Sequence, residues 1–169
     1  MAFRPRRWCT STAHKGLRYL IGVGNYMAFD DSIGLRIVER ISEGGLERGF
    51  RAIDLSGNTV NLLNYLEPAT ERILIVDSAR MGKKPGEHEF FKPEDVETKK
   101  ELTGLTTHEG DLLKILEFAR QLKYPIPPIT FMGIEPEDIK NEMGLSATLQ
   151  GRLSEYVQVA IQSCLGSLG

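Results

Sequence analysis

The stretch that most constrains the fold is Arg72 to Ser78, and within it Ile73-Leu74-Ile75-Val76. Four consecutive apolar residues, mostly β-branched, leave an extended chain with no polar face. A strand of this kind must be covered on both sides, which is the condition of a central strand in a parallel sheet between helices. The run stops at Asp77. Shorter apolar segments, Tyr19–Val23, Phe50–Leu55 and Ile129–Ile134, read as its neighbours, and residues 87–92 as an edge strand.

Helical periodicity fills the intervals. Residues 32–43 place Ile33, Ile37, Val38 and Ile41 on one face, and Gly44-Gly45 stops them. Residues 59–66 carry Val60, Leu62, Leu63 and Leu66, and Pro68 ends them. Residues 93–104 read as a loop or short helix. A helix from His108 to Leu122, with Thr106 or Thr107 as its cap, presents Leu112, Leu116 and Ala119. A last helix over 147–165 presents Leu149, Leu153, Tyr156, Val157 and Ala160. Alternating strands and helices define an α/β fold. The expectation is a three-layer sandwich: about five strands in a mostly parallel twisted sheet, one antiparallel edge strand, and helices on both faces.

The chain of 169 residues suits a single domain. Residues 1–17 are basic and rich in small polar side chains, and are expected to be a disordered tail; residues 18–169 form the domain. A net charge of −2 gives no electrostatic basis for nucleic-acid binding. No apolar run is long enough to span a bilayer. The two cysteines, Cys9 and Cys164, stand far apart without metal-ligand spacing, so a reducing, cytoplasmic setting is expected.

The chemistry concentrates where strands end. Gly22-Val23-Gly24-Asn25 closes the first strand, and Asp30-Asp31 precede the first helix, where either carboxylate could cap it. Two glycines of a dinucleotide-binding G-x-G-x-x-G are present, but Met27 stands where the third belongs, and paired acids would repel a phosphate. Asp31 follows the first strand, Asp77 ends the third, and His108 opens a helix. In a doubly wound sheet these three can converge at the crevice where strand order reverses. Two carboxylates and an imidazole would make a first shell for a transition metal with positions left open. Each also has a plainer reading: a helix cap, a solvated strand end, a first-turn helix residue. Tyr26, Met27 and Phe29 in the first loop read either as an apolar rim or as packing beneath the loop.

Taken together, Gly22-Val23-Gly24-Asn25, Asp30-Asp31, Ile33-Gly34, Ile53-Asp54, Leu74-Ile75-Val76-Asp77, Thr107-His108, Gly133-Ile134-Glu135-Pro136 and Gly144-Leu145-Ser146 resemble the hydrogenase maturation endopeptidases over residues 18–165. The resemblance implies a cytoplasmic protease that trims the C-terminal extension from a nickel–iron hydrogenase large-subunit precursor after nickel insertion. It implies metal ligands at Asp31, Asp77 and His108, with Asp31 where many members carry glutamate. The nickel would arrive with the precursor, other divalent ions substituting in vitro. Either the metal activates the attacking water or carbonyl, or Asp31 or Asp77 acts as general base. Asp54, Gly57 and Asn25 are expected to bind substrate or support the ligands, with Leu55-Ser56-Gly57 replacing the Gly-Gly-Thr often found after the acid. A monomer is expected. The competing reading is a non-catalytic, Rossmann-like module that binds a nucleotide or a partner.

Overall fold

The computed structural model describes residues 16–99 and 107–167. The strands are β1 (Leu17–Gly22), β2 (Arg51–Asp54), β3 (Thr70–Ser78), β4 (His88–Phe91) and β5 (Ile129–Ile134). They form one sheet in the order β2-β1-β3-β5-β4. β1, β2, β3 and β5 run parallel; β4 lies antiparallel on β5 as the edge strand. The helices are α1 (Ile33–Glu43), α2 (Pro93–Lys99), α3 (Thr107–Gln121) and α4 (Ala147–Leu165). Among the described residues no helix is long and apolar enough to cross a membrane.

The two-residue period of β3 divides the core. Leu74 and Val76 face α1 and α4, packing with Ile33, Ile37, Ile41, Leu149, Leu153 and Tyr156. Ile73 and Ile75 face the other way, packing with Leu62, Leu112, Leu116 and Phe131. The unbroken apolar run is therefore buried on both faces, as its composition requires.

Several local expectations need correction. Residues 59–65 form a 3-10 helix, with the Asn58 side chain accepting from Val60 N–H at its start, rather than an α-helix. Too short to bury a full helical stripe, this segment still tucks Leu62 beneath the sheet. Thr107 is the first residue of α3 instead of a cap before it, and Thr106 lies outside the described residues. The tail expected over 1–17 lies outside the described residues up to 15, but Leu17 already belongs to the sheet: its N–H donates to Ala69 O at 2.8 Å.

From β1 the chain passes outward through α1 to β2, then returns to β3 on the other side of β1. Strand order thus reverses between β1 and β3, opening a crevice above their carboxyl ends. Gly22 and Gly34 set the depth of that crevice. A Cβ on Gly34 would lie 2.1 Å from Val76 O and 2.6 Å from Val23 O. A Cβ on Gly22 would lie 2.3 Å from Gly34 O. Only glycines let the first turn of α1 settle directly on β1 and β3. The helix–strand approach sought from a third glycine in the loop is supplied by Gly34, beyond it.

Candidate active site

The loop after β1 turns back sharply at Gly24, whose φ is +139°. A Cβ there would stand 2.0 Å from Asp31 O, so the glycine permits the loop to press against the backbone of Asp31. A 3-10 turn, Phe29–Ser32, then leads into α1. Neither acid caps that helix: its N-cap is Ser32, without a side-chain cap hydrogen bond. Asp30 and Asp31 are both withdrawn from solvent and put to different uses.

Asp30 is 0% exposed. Its Oδ1 accepts from Ser146 N–H at 2.7 Å, and its Oδ2 from the N–H groups of Glu137 and Asp138 at 2.9 and 3.1 Å. It thereby fastens the segment between β5 and α4 to the first loop. Phe29 N–H donates to Glu142 O at 2.8 Å, and Ala28 bridges Glu142, tightening the same seam. Glu135, also buried, performs a parallel task, accepting from Met81 and Lys83 N–H at 2.6 and 3.2 Å to hold the loop after β3.

Asp31 is 6% exposed and points into the crevice between β1 and β3. Its Oδ1 accepts from the Ser78 hydroxyl at 2.7 Å, and its Oδ2 lies 3.1 Å from His108 Nε2. Asp77, at the end of β3, is buried, and its Oδ1 accepts from Ser78 N–H at 2.8 Å. Burial pushes the Asp31 pKa up, but hydrogen bonds from His108 and Ser78, with help from the Asn25 backbone, bring the net value below the usual carboxylate range. The hydrogen bond to Asp31 raises the His108 pKa against the opposing effect of burial, and the charge of Asp77 raises it further. An ionised carboxylate thus faces an imidazole biased toward its cation.

Asp31, Asp77 and His108, predicted from three distant points of the sequence, therefore come together above the carboxyl ends of β1 and β3. Asp54 and Asn25 stand at the mouth. Tyr26 donates to Asp54 Oδ2 at 2.8 Å, Ser56 N–H donates to Asp54 Oδ1 at 2.8 Å, and Arg36 lies over the Tyr26 ring at 5.0 Å. Burial, then the bond to Asp54, pushes the Tyr26 phenol up to about 12. Asn25 folds its side-chain oxygen onto Met27 N–H at 2.9 Å. Gly57 sits in an exposed turn with open space around it and does not join the cluster. The loop aromatics are packed: Tyr26 beneath Arg36 and Phe29 beneath Lys140, while Met27 remains 56% exposed. The roles of Ser78, Asp30 and Glu135 go beyond the sequence reading, in which Asp30 is a candidate helix cap and Glu135 only part of a motif. The only local signal for Ser78 is a hydroxyl directly after Asp77, at the end of the strand that carries the Ile73–Val76 apolar run.

Among the described residues no three His, Cys, Asp or Glu side chains are set out as a formed metal cluster. Asp31 and His108 instead face each other, an arrangement that still suits ligation. Two donors each about 2.1 Å from a divalent ion and at right angles to one another stand about 3 Å apart. The O···N distance of 3.1 Å is close to that spacing, so the pair could hold a divalent ion after loss of the shared proton.

The family model described as HycI, hydrogenase maturation protease, matches residues 35–163. The hydrogenase 3 maturation protease of Escherichia coli K12 is 32% identical over 121 residues, covering 70% of this chain and 72% of that protein. The hydrogenase 2 maturation protease of the same strain is 27% identical over 157 residues, 88% of each chain. The solved structure of the hydrogenase maturating endopeptidase HybD from E. coli superposes with a TM-score of 0.74 at 21% identity, covering 90% of this chain and 94% of that one, which shows the shared fold.

Proposed function

Because the chain belongs to the hydrogenase maturation protease family, a family of peptide-bond hydrolases, we propose that it removes the C-terminal extension of a nickel–iron hydrogenase large-subunit precursor once nickel is in place. The observation that carries this reading is the Asp31–His108 pair in the β1/β3 crevice, with Asp77 buried beside it. Nickel is read as part of the substrate. Asp31 Oδ2 and His108 Nε2 would present oxygen and nitrogen to it, and Asp77 would add a second carboxylate. A substrate-borne cation so placed would polarise the scissile carbonyl or activate water.

For Asp31 the protonation state favours ligation over general-base catalysis. Asp31 is held below the usual carboxylate range, which keeps it ionised and available to a cation but makes it a weak proton acceptor near neutral pH. His108 must shed its Nε2 proton before ligating, so recognition of the loaded precursor would be coupled to proton release. The nucleotide-binding alternative gains no support. The glycine that would admit a pyrophosphate, Gly24, instead admits the backbone of Asp31. We further propose that the protein acts in the cytoplasm as a monomer.

The test is incubation with nickel-loaded and nickel-free precursor, following release of the C-terminal peptide by mass spectrometry. Cleavage of the loaded form alone is expected, with loss of cleavage in His108→Ala. No cleavage of the loaded form by the wild-type protein would overturn the reading; undiminished cleavage by His108→Ala would overturn the assigned site.

A further inference from the structure

Ser78 donates to both carboxylates of the site. Its N–H reaches Asp77 Oδ1 at 2.8 Å and its hydroxyl reaches Asp31 Oδ1 at 2.7 Å. It is 0% exposed and lies on the last residue of β3, where its backbone is paired with Ile134 of β5. The hydroxyl is therefore carried by a buried strand paired on both sides.

The geometry points to Ser78 as a positioning residue that fixes the plane of the Asp31 carboxylate, and so the direction from which it meets the substrate's cation. An aspartate carboxylate turns easily about its terminal torsion, whose energy profile is broad and two-fold. Without the hydroxyl, Asp31 would keep His108 and the Asn25 backbone, but no side chain carried by the sheet would hold its plane. A hydroxyl facing an ionised carboxylate has to donate, since the carboxylate can only accept, and a charge-assisted O–H···O bond at 2.7 Å is short and directional. Fastening Oδ1 to the sheet leaves Oδ2 aimed at His108. The same residue orients Asp77 through its backbone, so one strand end fixes both acids. Ser78 touches neither substrate nor metal; it acts through Asp31.

This inference rests on the proposed role of Asp31, so the experiment has two arms. In the first, precursor cleavage is measured for Ser78→Ala, Asp31→Asn and the double variant. Ser78→Ala is expected to lower kcat about tenfold or more, the worth of one hydrogen bond to a charged group, with KM within about twofold. Adding Ser78→Ala to Asp31→Asn is expected to cost nothing further, because the hydroxyl acts only through the ionised carboxylate. The second arm needs no substrate: exchange of the His108 ring N–H with water, followed by NMR, is expected to quicken at least tenfold in Ser78→Ala and to return toward the wild-type rate in Ser78→Thr, which keeps the hydroxyl. Unchanged exchange in a folded Ser78→Ala, or a further loss of activity in the double variant, would overturn the positioning role. A wild-type protein that cleaves nothing would overturn the protease reading instead, and the exchange arm would still decide the role of Ser78.

Discussion

Adjacent acids with opposite duties permit a sharp test: Asp30→Asn should damage stability, and Asp31→Asn should spare it. Asp30 accepts three backbone N–H groups from a fully buried position. Asparagine keeps one oxygen and sets an NH2 group against at least one of those donors. If the oxygen stays with Glu137 and Asp138, the bond to Ser146 N–H is lost. A hydrogen bond to a charged group contributes about 1.5–3 kcal/mol, and the two retained bonds weaken on becoming neutral by about 0.5 kcal/mol each. The expected loss is about 3 kcal/mol. Asp31→Asn also removes a charge, but the buried carboxylate's desolvation cost disappears with it and the oxygen facing Ser78 is kept. A change within about 1 kcal/mol is expected there. In urea, with a slope of about 2 kcal/mol per molar, the Asp30→Asn midpoint should fall by about 1.5 M and the Asp31→Asn midpoint by no more than about 0.5 M. Activity should show the reverse order among folded protein. Equal midpoints for the two variants, or a larger fall for Asp31→Asn, would refute the division of labour.

Gly34→Ala should lower the melting temperature by about 8 °C in calorimetry, since a Cβ 2.1 Å from Val76 O must lift α1 off the sheet at about 3 kcal/mol. The Asp31–His108 pair should make stability pH-dependent in a defined direction. His108 is raised in the folded protein, so its contribution is complete below the ordinary histidine value near 6.5 and disappears as pH rises through the raised one. Asp31 is lowered, so its contribution is complete above about 3.9 and disappears as pH falls through the depressed value. Urea midpoints at pH 5.5 and 9 should therefore differ more in the wild-type protein than in His108→Gln. Burial pushes the Cys164 thiol up to about 12, so alkylation at pH 8, mapped by peptide mass, should modify it only after unfolding.

Much of this fold is written in the apolar pattern of the sequence. Ile73-Leu74-Ile75-Val76 has no polar side to show to water, so the chain had to cover β3 on both faces, and the amphipathic periods of α1, α3 and α4 supplied the cover. The positions of Asp31 just ahead of α1, of Asp77 at a strand end and of His108 at a helix start follow from the same periodicities. The 59–65 segment shows the limit: its apolar spacing fits one helical turn about as well as another, and the segment is a 3-10 helix.

What tertiary structure decided is which of two neighbouring carboxylates does what, and with whom. Asp30 and Asp31 are chemically identical and consecutive, and nothing local tells them apart. The turn at Gly24 and the close seat of α1 at Gly34 direct one side chain toward the backbone of residues 137, 138 and 146 and the other toward Ser78 and His108. Those partners lie between 47 and 116 residues away along the chain. Sequence periodicity determines which face a residue occupies; only the packing of β3, β5 and α3 around the crevice determines what it meets there.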